Sequence, residues 1–201
     1  MPLPVNLAVF ISGDGSNLQS LIDAAKAGRL SAKIVLVVSS RADAFGLKRA
    51  RREGIDSVVY KVKDYPSPEA AETELLKILE HYKVDFIALA GYMKMIPVSV
   101  IQRYKDKITN IHPALLPQYG GKGMYGHFVH EAVLASRDKE SGATVHLVDE
   151  MYDHGKILMQ EKVPVMPDDT PESLAERVLK IEHKIYPIAL EQLIRGRYRE
   201  G

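Results

Sequence analysis

Apolar and polar positions alternate on two scales along the first half of the chain. Short runs rich in Val, Ile and Leu are followed by longer segments in which apolar residues recur every three or four positions. Runs that are apolar almost throughout are typical of parallel strands buried on both faces, and the longer segments are typical of amphipathic helices. The pattern therefore predicts βαβ units with a mostly parallel sheet. The predicted strands are 6–11, 33–40, 57–62 and 85–92, and the predicted helices are 16–27, 44–53, 68–82 and 97–104.

The second half of the chain has a different pattern. It starts with a short apolar strand that ends near His112, and two further β-rich runs then lie only a few residues apart. Strands joined by so short a turn pair in antiparallel fashion, because a parallel connection needs a longer crossover. The predicted elements are a helix over 127–136 and an antiparallel pair of strands over 142–150 and 157–165.

A long amphipathic helix follows these strands. Thr170 is expected to be its N-cap and Pro171 its first residue, and Ser173 comes soon after them. Pro187 is expected to kink the helix, because proline cannot donate the backbone hydrogen bond. The chain shows no repeats, low-complexity segments or clear linker, so we expect a single domain over residues 1–201.

Composition narrows the classes of function. Of 201 residues, 46% are hydrophobic, and 27 Lys and Arg stand against 26 Asp and Glu, so no basic excess points to nucleic acid or to an anionic membrane. The absence of cysteine excludes disulfides, thiolate metal sites and a cysteine nucleophile. The start of the chain lacks the basic flank of a secretory signal, and no apolar run is long enough to span a bilayer. We therefore expect a soluble protein of the cytoplasm.

A glycine turn links the first predicted strand to the first helix. Gly13 and Gly15 permit positive φ and a close approach of ligand to backbone, and Ser16 and Asn17 fall at the start of the helix, where N–H groups are free to bind an anion. A dinucleotide site is disfavoured because Leu18 stands where the third glycine of G-x-G-x-x-G belongs. A Walker loop is excluded because no lysine follows. A site for one phosphate or carboxylate and an ordinary turn with a good cap both remain open.

Asn110 and His112 lie two positions apart at the end of a strand, so both point to the same face. An imidazole exchanges protons near neutral pH, and a carboxamide can donate to a developing oxyanion. An acid close to the imidazole would favour its charged form. Asp153 is the best candidate, with Asp149 and Glu150 as alternatives. Since Asp before a turn glycine commonly serves the turn itself, the pattern alone favours a structural role for Asp153.

Other polar motifs have less specific interpretations. His127 and His130 have the spacing of a helical metal pair, but the absence of further ligands nearby favours a surface helix face. His146 can face either the core or the site. The letters of residues 121–126, GKGMYG, match G-x-G-x-x-G, but they do not follow a strand. We interpret them as a flap beside the site.

Five segments together resemble the folate-dependent formyltransferases, and within them the group that acts on phosphoribosylglycinamide (GAR). The resemblance spans nearly the whole chain and implies an α/β, Rossmann-like three-layer fold. That fold has a mostly parallel central sheet, helices on both faces and an antiparallel C-terminal strand pair. The segments are ISGDGSNLQSLIDA (11–24), DFIALAGYMKMI (85–96), NIHPALLP (110–117), GATVHLVDEMYDHGKILMQ (142–160) and EHKIYP (182–187).

The resemblance also implies roles for individual residues. The reaction would move a formyl group from 10-formyltetrahydrofolate to the amine of GAR in purine biosynthesis, without metal or ATP, in a monomer or homodimer. Asp153 becomes a catalytic candidate through this resemblance and not through its spacing. The implied catalytic residues are Asn110, His112 and Asp153; the GAR-binding residues are Gly15, Ser16, Asn17 and Glu182; the folate-binding residues are Met93, Lys94, Met95, Ile96, Asn110, Asp149, Glu150, Met151, Tyr152 and Asp153.

Two features depart from the family pattern. His154 stands between Asp153 and Gly155, where the family commonly has a second glycine, and the loop over 119–128 is several residues longer than in better-known members. Three alternative functions stay open beside the one that the resemblance implies. They are a related enzyme of folate-dependent formyl transfer, a formyl-folate hydrolase, and a Rossmann-like module that binds a phosphate or nucleotide without chemistry.

Overall fold

The structure is a computed structural model that describes residues 4–196. Its internal contacts divide the chain into two compact units, which meet in sequence between Thr109 and Asn110. The single domain expected over residues 1–201 stays a prediction. Within the described part of the chain, every helix is too short or too polar to span a membrane.

The first unit is built from βαβ units, as the alternating pattern predicts. Its strands are ordered β3-β2-β1-β4, and all three pairings within that set are parallel. A short 3₁₀ turn, Val62–Asp64, follows β3. The elements are β1 (Val5–Ile11), α1 (Ser16–Lys26), β2 (Ala32–Ser39), α2 (Gly46–Arg52), β3 (Ser57–Val59), α3 (Pro68–His81), β4 (Phe86–Leu89) and α4 (Val98–Arg103).

Burial explains why these segments become strands. The second part of β1, from Leu7 to Ile11, is completely buried, as expected for a parallel strand that is covered on both faces. Two predicted strands are shorter than expected. β3 ends at Val59, shortly before the 3₁₀ turn that begins at Val62, and β4 ends before Gly91, whose φ of 76° is incompatible with an extended strand.

The second unit carries the antiparallel pair. β6 pairs with β7 from Glu140 opposite Pro164 to His146 opposite Ile157, and β6 lies between β5 and β7. The parallel first half and the antiparallel C-terminal pair confirm the predicted Rossmann-like α/β class. The remaining elements are β5 (Ile108–His112), α5 (His127–Ala135), β6 (Glu140–Leu147), β7 (Ile157–Pro164) and α6 (Pro171–Ile194).

The start of α6 confirms the predicted cap. The Thr170 side chain accepts a hydrogen bond from the Ser173 amide, and the Ser173 hydroxyl accepts one from the Thr170 amide, which forms a capping box. Pro171 occupies the first helical position, where its missing N–H costs nothing. The helix continues through Pro187 to Ile194, and the expected kink stays a prediction.

Candidate active site

The glycine turn between β1 and α1 is shaped by a close backbone approach. Gly15 is the N-cap of α1 in the left-handed conformation, with φ 76°. A Cβ at Gly15 would lie 2.7 Å from the Cα of Gly46, so the two glycines pack backbone against backbone. Ser16 and Asn17 are the first two residues of α1, and the first N–H groups of an α-helix point out of its N-terminal end. The turn therefore has the geometry of an anion site.

Arg49 on α2 contacts the same turn, which the sequence pattern does not reveal. Its Nε donates to the carbonyl of Asp14 at 2.9 Å, and its Nη2 lies 2.8 Å from the Asp14 carboxylate. The Arg49 side chain also lies over the Phe45 ring, 5.0 Å from its centroid. The Arg49 guanidinium and the Asp14 carboxylate offset each other's charge, and their contact ties α2 to the turn.

The segment predicted to line a folate site follows β4. The Met93 amide donates to the Ser12 hydroxyl at 2.8 Å, and that hydroxyl lies 2.6 Å from the hydroxyl of Ser40. Polar contacts thus connect the three segments that follow β1, β2 and β4. Met93, Lys94 and Met95 are exposed, whereas Ile96 is buried and packs in the core of its unit.

The second unit brings Asn110, His112, His146 and Asp153 into one cluster. Asn110 Nδ2 donates to Asp153 Oδ1 at 3.3 Å. The nearest ring nitrogens of His112 and His146 lie 3.6 and 3.5 Å from the same carboxylate oxygen. Three nitrogen-bearing side chains therefore surround one oxygen of a carboxylate that is only 11% exposed. The predicted catalytic residues do lie together, and His146 faces the site.

Hydrogen bonds define the tautomer of His146. Its Nδ1 lies 2.8 Å from the carbonyl of Leu147, and since a carbonyl only accepts, Nδ1 carries a proton. In the neutral ring Nε2 then accepts from Asn110 Nδ2 at 3.1 Å. His146 and Asp153 together engage both N–H groups of the Asn110 amide, so the orientation of the carboxamide is determined. The sequence left the role of His146 open because its partner Asn110 lies 36 positions away.

The pKa of each catalytic candidate reflects its burial and its neighbours. Burial lowers the pKa of His112, and Asp153 and the Tyr119 carbonyl offset part of this effect. The expectation that Asp153 favours the charged imidazole is thus met, but burial outweighs it. Burial would raise the pKa of Asp153, but His112 and the hydrogen bond from the Gly121 amide help to hold it below its ordinary value. Asp153 therefore remains ionised at neutral pH.

The loop between β6 and β7 holds Asp153 and several predicted folate contacts. Asp153 has a positive φ of 52°, which is uncommon for a non-glycine residue. Asp149 accepts from the Met151 amide at 2.9 Å and pairs with His154 Nδ1 at 2.8 Å. Gly155 is needed for the turn, because a Cβ there would lie 1.8 Å from the carbonyl oxygen of Leu147. Glu150, Met151 and Tyr152 are exposed, and Glu182, the predicted GAR contact, is buried on α6.

The prediction of a surface helix face for His127 and His130 is wrong for His130. His127 is exposed, but His130 is only 4% exposed, and burial lowers the pKa of His130 to about 4. The nearby His112 and His127 lower it further. His130 is therefore neutral at neutral pH. Within residues 4–196, no group of three or more His, Cys, Asp and Glu side chains is arranged to hold a metal ion.

The glycine-rich segment 121–126 begins beside the cluster. β5 ends at His112, so the segment does not follow a strand directly, as expected from the sequence despite its G-x-G-x-x-G letters. The amide of Gly121 donates to Asp153 Oδ2 at 3.0 Å. The first residue of the predicted flap is thus bound to the site, and the role of the rest of the segment stays a prediction.

The fold and the cluster define a Rossmann-like α/β protein with a carboxamide, two imidazoles and a carboxylate in one site. The family described as formyl transferase matches residues 5–190, and this chain belongs to that family.

The names of individual relatives are more specific than the description of the family. The chain is 48% identical to the chloroplastic phosphoribosylglycinamide formyltransferase of Arabidopsis thaliana over 92% of its own length and 64% of that protein. It is 40% identical to the phosphoribosylglycinamide formyltransferase of Haemophilus influenzae, covering 96% of this chain and 89% of that one. The chain thus spans slightly less than two thirds of the plant relative. Among solved structures, glycinamide ribonucleotide transformylase 1 from Symbiobacterium toebii superposes with a TM-score of 0.92 at 39% identity, covering 100% of this chain and 93% of that one.

Proposed function

We propose that this protein transfers the formyl group of 10-formyltetrahydrofolate to the primary amine of GAR. The observation that carries the proposal is the convergence of Asn110, His112 and His146 on Asp153 Oδ1 in a chain of the formyl transferase family. The names of the relatives from Arabidopsis thaliana and Haemophilus influenzae support the choice of GAR as acceptor.

The proposed chemistry needs no covalent enzyme intermediate. The amine nitrogen of GAR attacks the formyl carbon, the carbonyl electron pair moves to oxygen, and a tetrahedral oxyanion forms. The amine then loses a proton, the oxyanion re-forms the carbonyl as the bond from the formyl carbon to N10 of the folate breaks, and N10 takes up a proton. The protein has to stabilise the negative oxygen and move one proton from the attacking nitrogen to the leaving one.

The cluster can supply both functions. We assign oxyanion stabilisation to His112 in its protonated form and to the Asn110 amide, one N–H of which leaves its 3.3 Å contact with Asp153 when the substrates bind. Asp153 stabilises that imidazolium and passes the amine proton, directly or through water. Since burial lowers the pKa of His112 in the ligand-free protein, its charged form depends on the neighbouring carboxylate, which is ionised.

The substrate-binding roles follow from the same proposal. We assign the ribose phosphate of GAR to Gly15, Ser16 and Asn17, because the start of α1 has the geometry of an anion site. Glu182 is assigned to the glycinamide part of GAR. The remaining folate contacts are assigned to residues 93–96 and 149–153. The proposed location is the cytoplasm, and a monomer or homodimer stays the predicted assembly.

The test is an absorbance assay with purified protein, GAR and a formylated folate analogue. Loss of the formyl group that depends on GAR is the expected result. Loss without GAR would instead indicate hydrolysis, and no loss would indicate a binding module. Asp153→Asn is the matched variant, because it keeps the size of the side chain and removes its charge, and it should abolish most of the GAR-dependent signal.

A further inference from the structure

The segment 119–121 contacts both members of the His112–Asp153 pair through its backbone. The carbonyl of Tyr119 lies 2.7 Å from His112 Nε2, and the Gly121 amide donates to Asp153 Oδ2 at 3.0 Å. Because a carbonyl only accepts, His112 Nε2 carries a proton. The other nitrogen, Nδ1, is then the one that gains or loses a proton, and it lies 3.6 Å from Asp153 Oδ1.

The backbone of this segment is held in an uncommon conformation. Tyr119 has a φ of 56°, in the left-handed region, which costs a non-glycine residue about 1–2 kcal/mol. A Cβ at Gly120 would lie 2.7 Å from Leu116 Cδ2 and 3.2 Å from Asp153 Cβ, so the chain passes close to the site. Such a conformation persists only where the surroundings determine it.

The side chain of Tyr119 makes one of the contacts that hold this conformation. Its hydroxyl donates to Asp138 Oδ2 at 2.6 Å, in the connection between α5 and β6. The bond to Asp138 raises the pKa of Tyr119, so the hydroxyl stays a donor at neutral pH. A hydrogen bond to a carboxylate is stronger than one between neutral groups, and it ties the residue that carries the carbonyl to a separate part of the unit.

We propose that Tyr119 is a positioning residue for His112. Its side chain, anchored on Asp138, holds the carbonyl that keeps a proton on Nε2, and this makes Nδ1 the working nitrogen of His112 beside Asp153. The kinetic part of this inference rests on the proposed function, and the structural part does not.

The anchor matters because neutral imidazole has two tautomers. If the Tyr119 carbonyl moves away, the proton is more stable on Nδ1, where the Asp153 carboxylate accepts it. His112 then cannot take up a further proton at Nδ1. The carbonyl also favours the charged ring, so its loss lowers the pKa of His112.

The experiment compares Tyr119→Phe with Tyr125→Phe, the same change at an exposed tyrosine of the same loop. Nitrogen-15 NMR of the ligand-free proteins reports the tautomer, with the His112 signals assigned by a His112→Gln variant. We expect one Nε2–H tautomer in the parent protein and in Tyr125→Phe, and a mixture in Tyr119→Phe. GAR-dependent kcat should fall about tenfold in Tyr119→Phe. Because His112 acts in its protonated form, its lower pKa should move the alkaline-side midpoint of the pH profile to lower pH, with the KM for GAR nearly unchanged.

Variants of Asp138 provide a second line of evidence. Asp138→Asn keeps an acceptor oxygen for the tyrosine hydroxyl and should stay close to the parent, whereas Asp138→Ala should reproduce the effects of Tyr119→Phe. An unchanged tautomer in Tyr119→Phe would overturn the inference, and so would a loss of rate without a shifted pH profile. If the parent shows the expected tautomer but no GAR-dependent turnover, the proposed function fails while the positioning of His112 stands.

Discussion

The glycine turn of the first unit and the Asp153 cluster of the second are built in different ways. The turn itself consists of neighbours in sequence, Gly13 to Asn17, and its shape depends on the close backbone approach of Gly15 and Gly46. The cluster is made by side chains that are far apart in sequence, with Asn110 and Asp153 separated by 43 positions. The glycine turn should therefore be sensitive to added atoms, and the Asp153 cluster to the loss of functional groups.

The largest effect on turnover is expected from removing the imidazole of His112. His112→Ala should lower kcat by about 10²–10⁴, because it removes the charged donor to the oxyanion and the imidazole that pairs with Asp153. GAR-dependent turnover measures this, and circular dichroism checks that the fold is kept. His127→Ala, at an exposed histidine, is the control and should keep the parent rate. Turnover by His112→Ala close to that of the parent would refute the assignment.

The glycine turn should respond to a single added methyl group. In Gly15→Ala the new Cβ meets the Gly46 backbone at 2.7 Å, and the φ of 76° is unfavourable for alanine. We expect the free energy of unfolding to fall by about 2 kcal/mol or more, with weaker binding of GAR. Gly13→Ala is the matched control, because a Cβ added at Gly13 would meet no atom within 4 Å.

Urea unfolding and GAR titration measure the two effects of these glycine variants. The comparison is decisive because both variants add one methyl group to the same turn. Equal stability of Gly15→Ala and Gly13→Ala would show that the close approach of Gly15 and Gly46 does not shape the turn.

The two regions also differ in how far the sequence could predict them. The glycines and the cap position of the turn are visible in the letters, whereas the contact of Arg49 with Asp14 is not, because it joins positions 35 apart. Strand alternation placed Asn110 and His112 on one face. It could not place His146, whose partner lies on another strand, or the carbonyl of Tyr119, because backbone groups leave no pattern in the sequence.

The wrong prediction of a surface position for His130 was avoidable, because the apolar periodicity of its helix is visible in the sequence. Val129 and Val133 are both fully buried on α5, so they mark the inward face of this short helix. His130 is adjacent to one and three positions from the other, which puts it on the same face. The metal-ligand spacing of the histidines drew attention to their chemistry, and the apolar periodicity around them was the better guide.

The buried His130 gives a pH-dependent test of the second unit. Its pKa is about 4 in the folded protein and near 6.5 when unfolded. Between these values the unfolded state binds more protons, so the contribution of His130 to stability falls as the pH drops from 6.5 towards 4. At pH 5 the loss relative to pH 7 should be about 2 kcal/mol.

Urea unfolding of His130→Leu at the same two pH values measures this loss. The variant should lose about 2 kcal/mol less than the parent on acidification, because leucine does not titrate. His127→Leu, at the exposed neighbour, is the control and should retain the parent's pH dependence. If His130→Leu and the parent lose the same stability, the neutral buried state of His130 is wrong.

The smallest effect is expected at His154, which is next to Asp153 in sequence but pairs with Asp149. The side chains of His154 and Asp149 are 63% and 40% exposed, and such a surface pair stabilises a protein by about 0.5 kcal/mol at most. His154→Ala should therefore keep both the stability and the turnover of the parent, as measured by urea unfolding and the GAR assay. A loss of turnover comparable to that of His112→Ala would mean that the cluster extends beyond Asp153. Unchanged turnover would limit it to the side chains that converge on the carboxylate, whatever their separation in sequence.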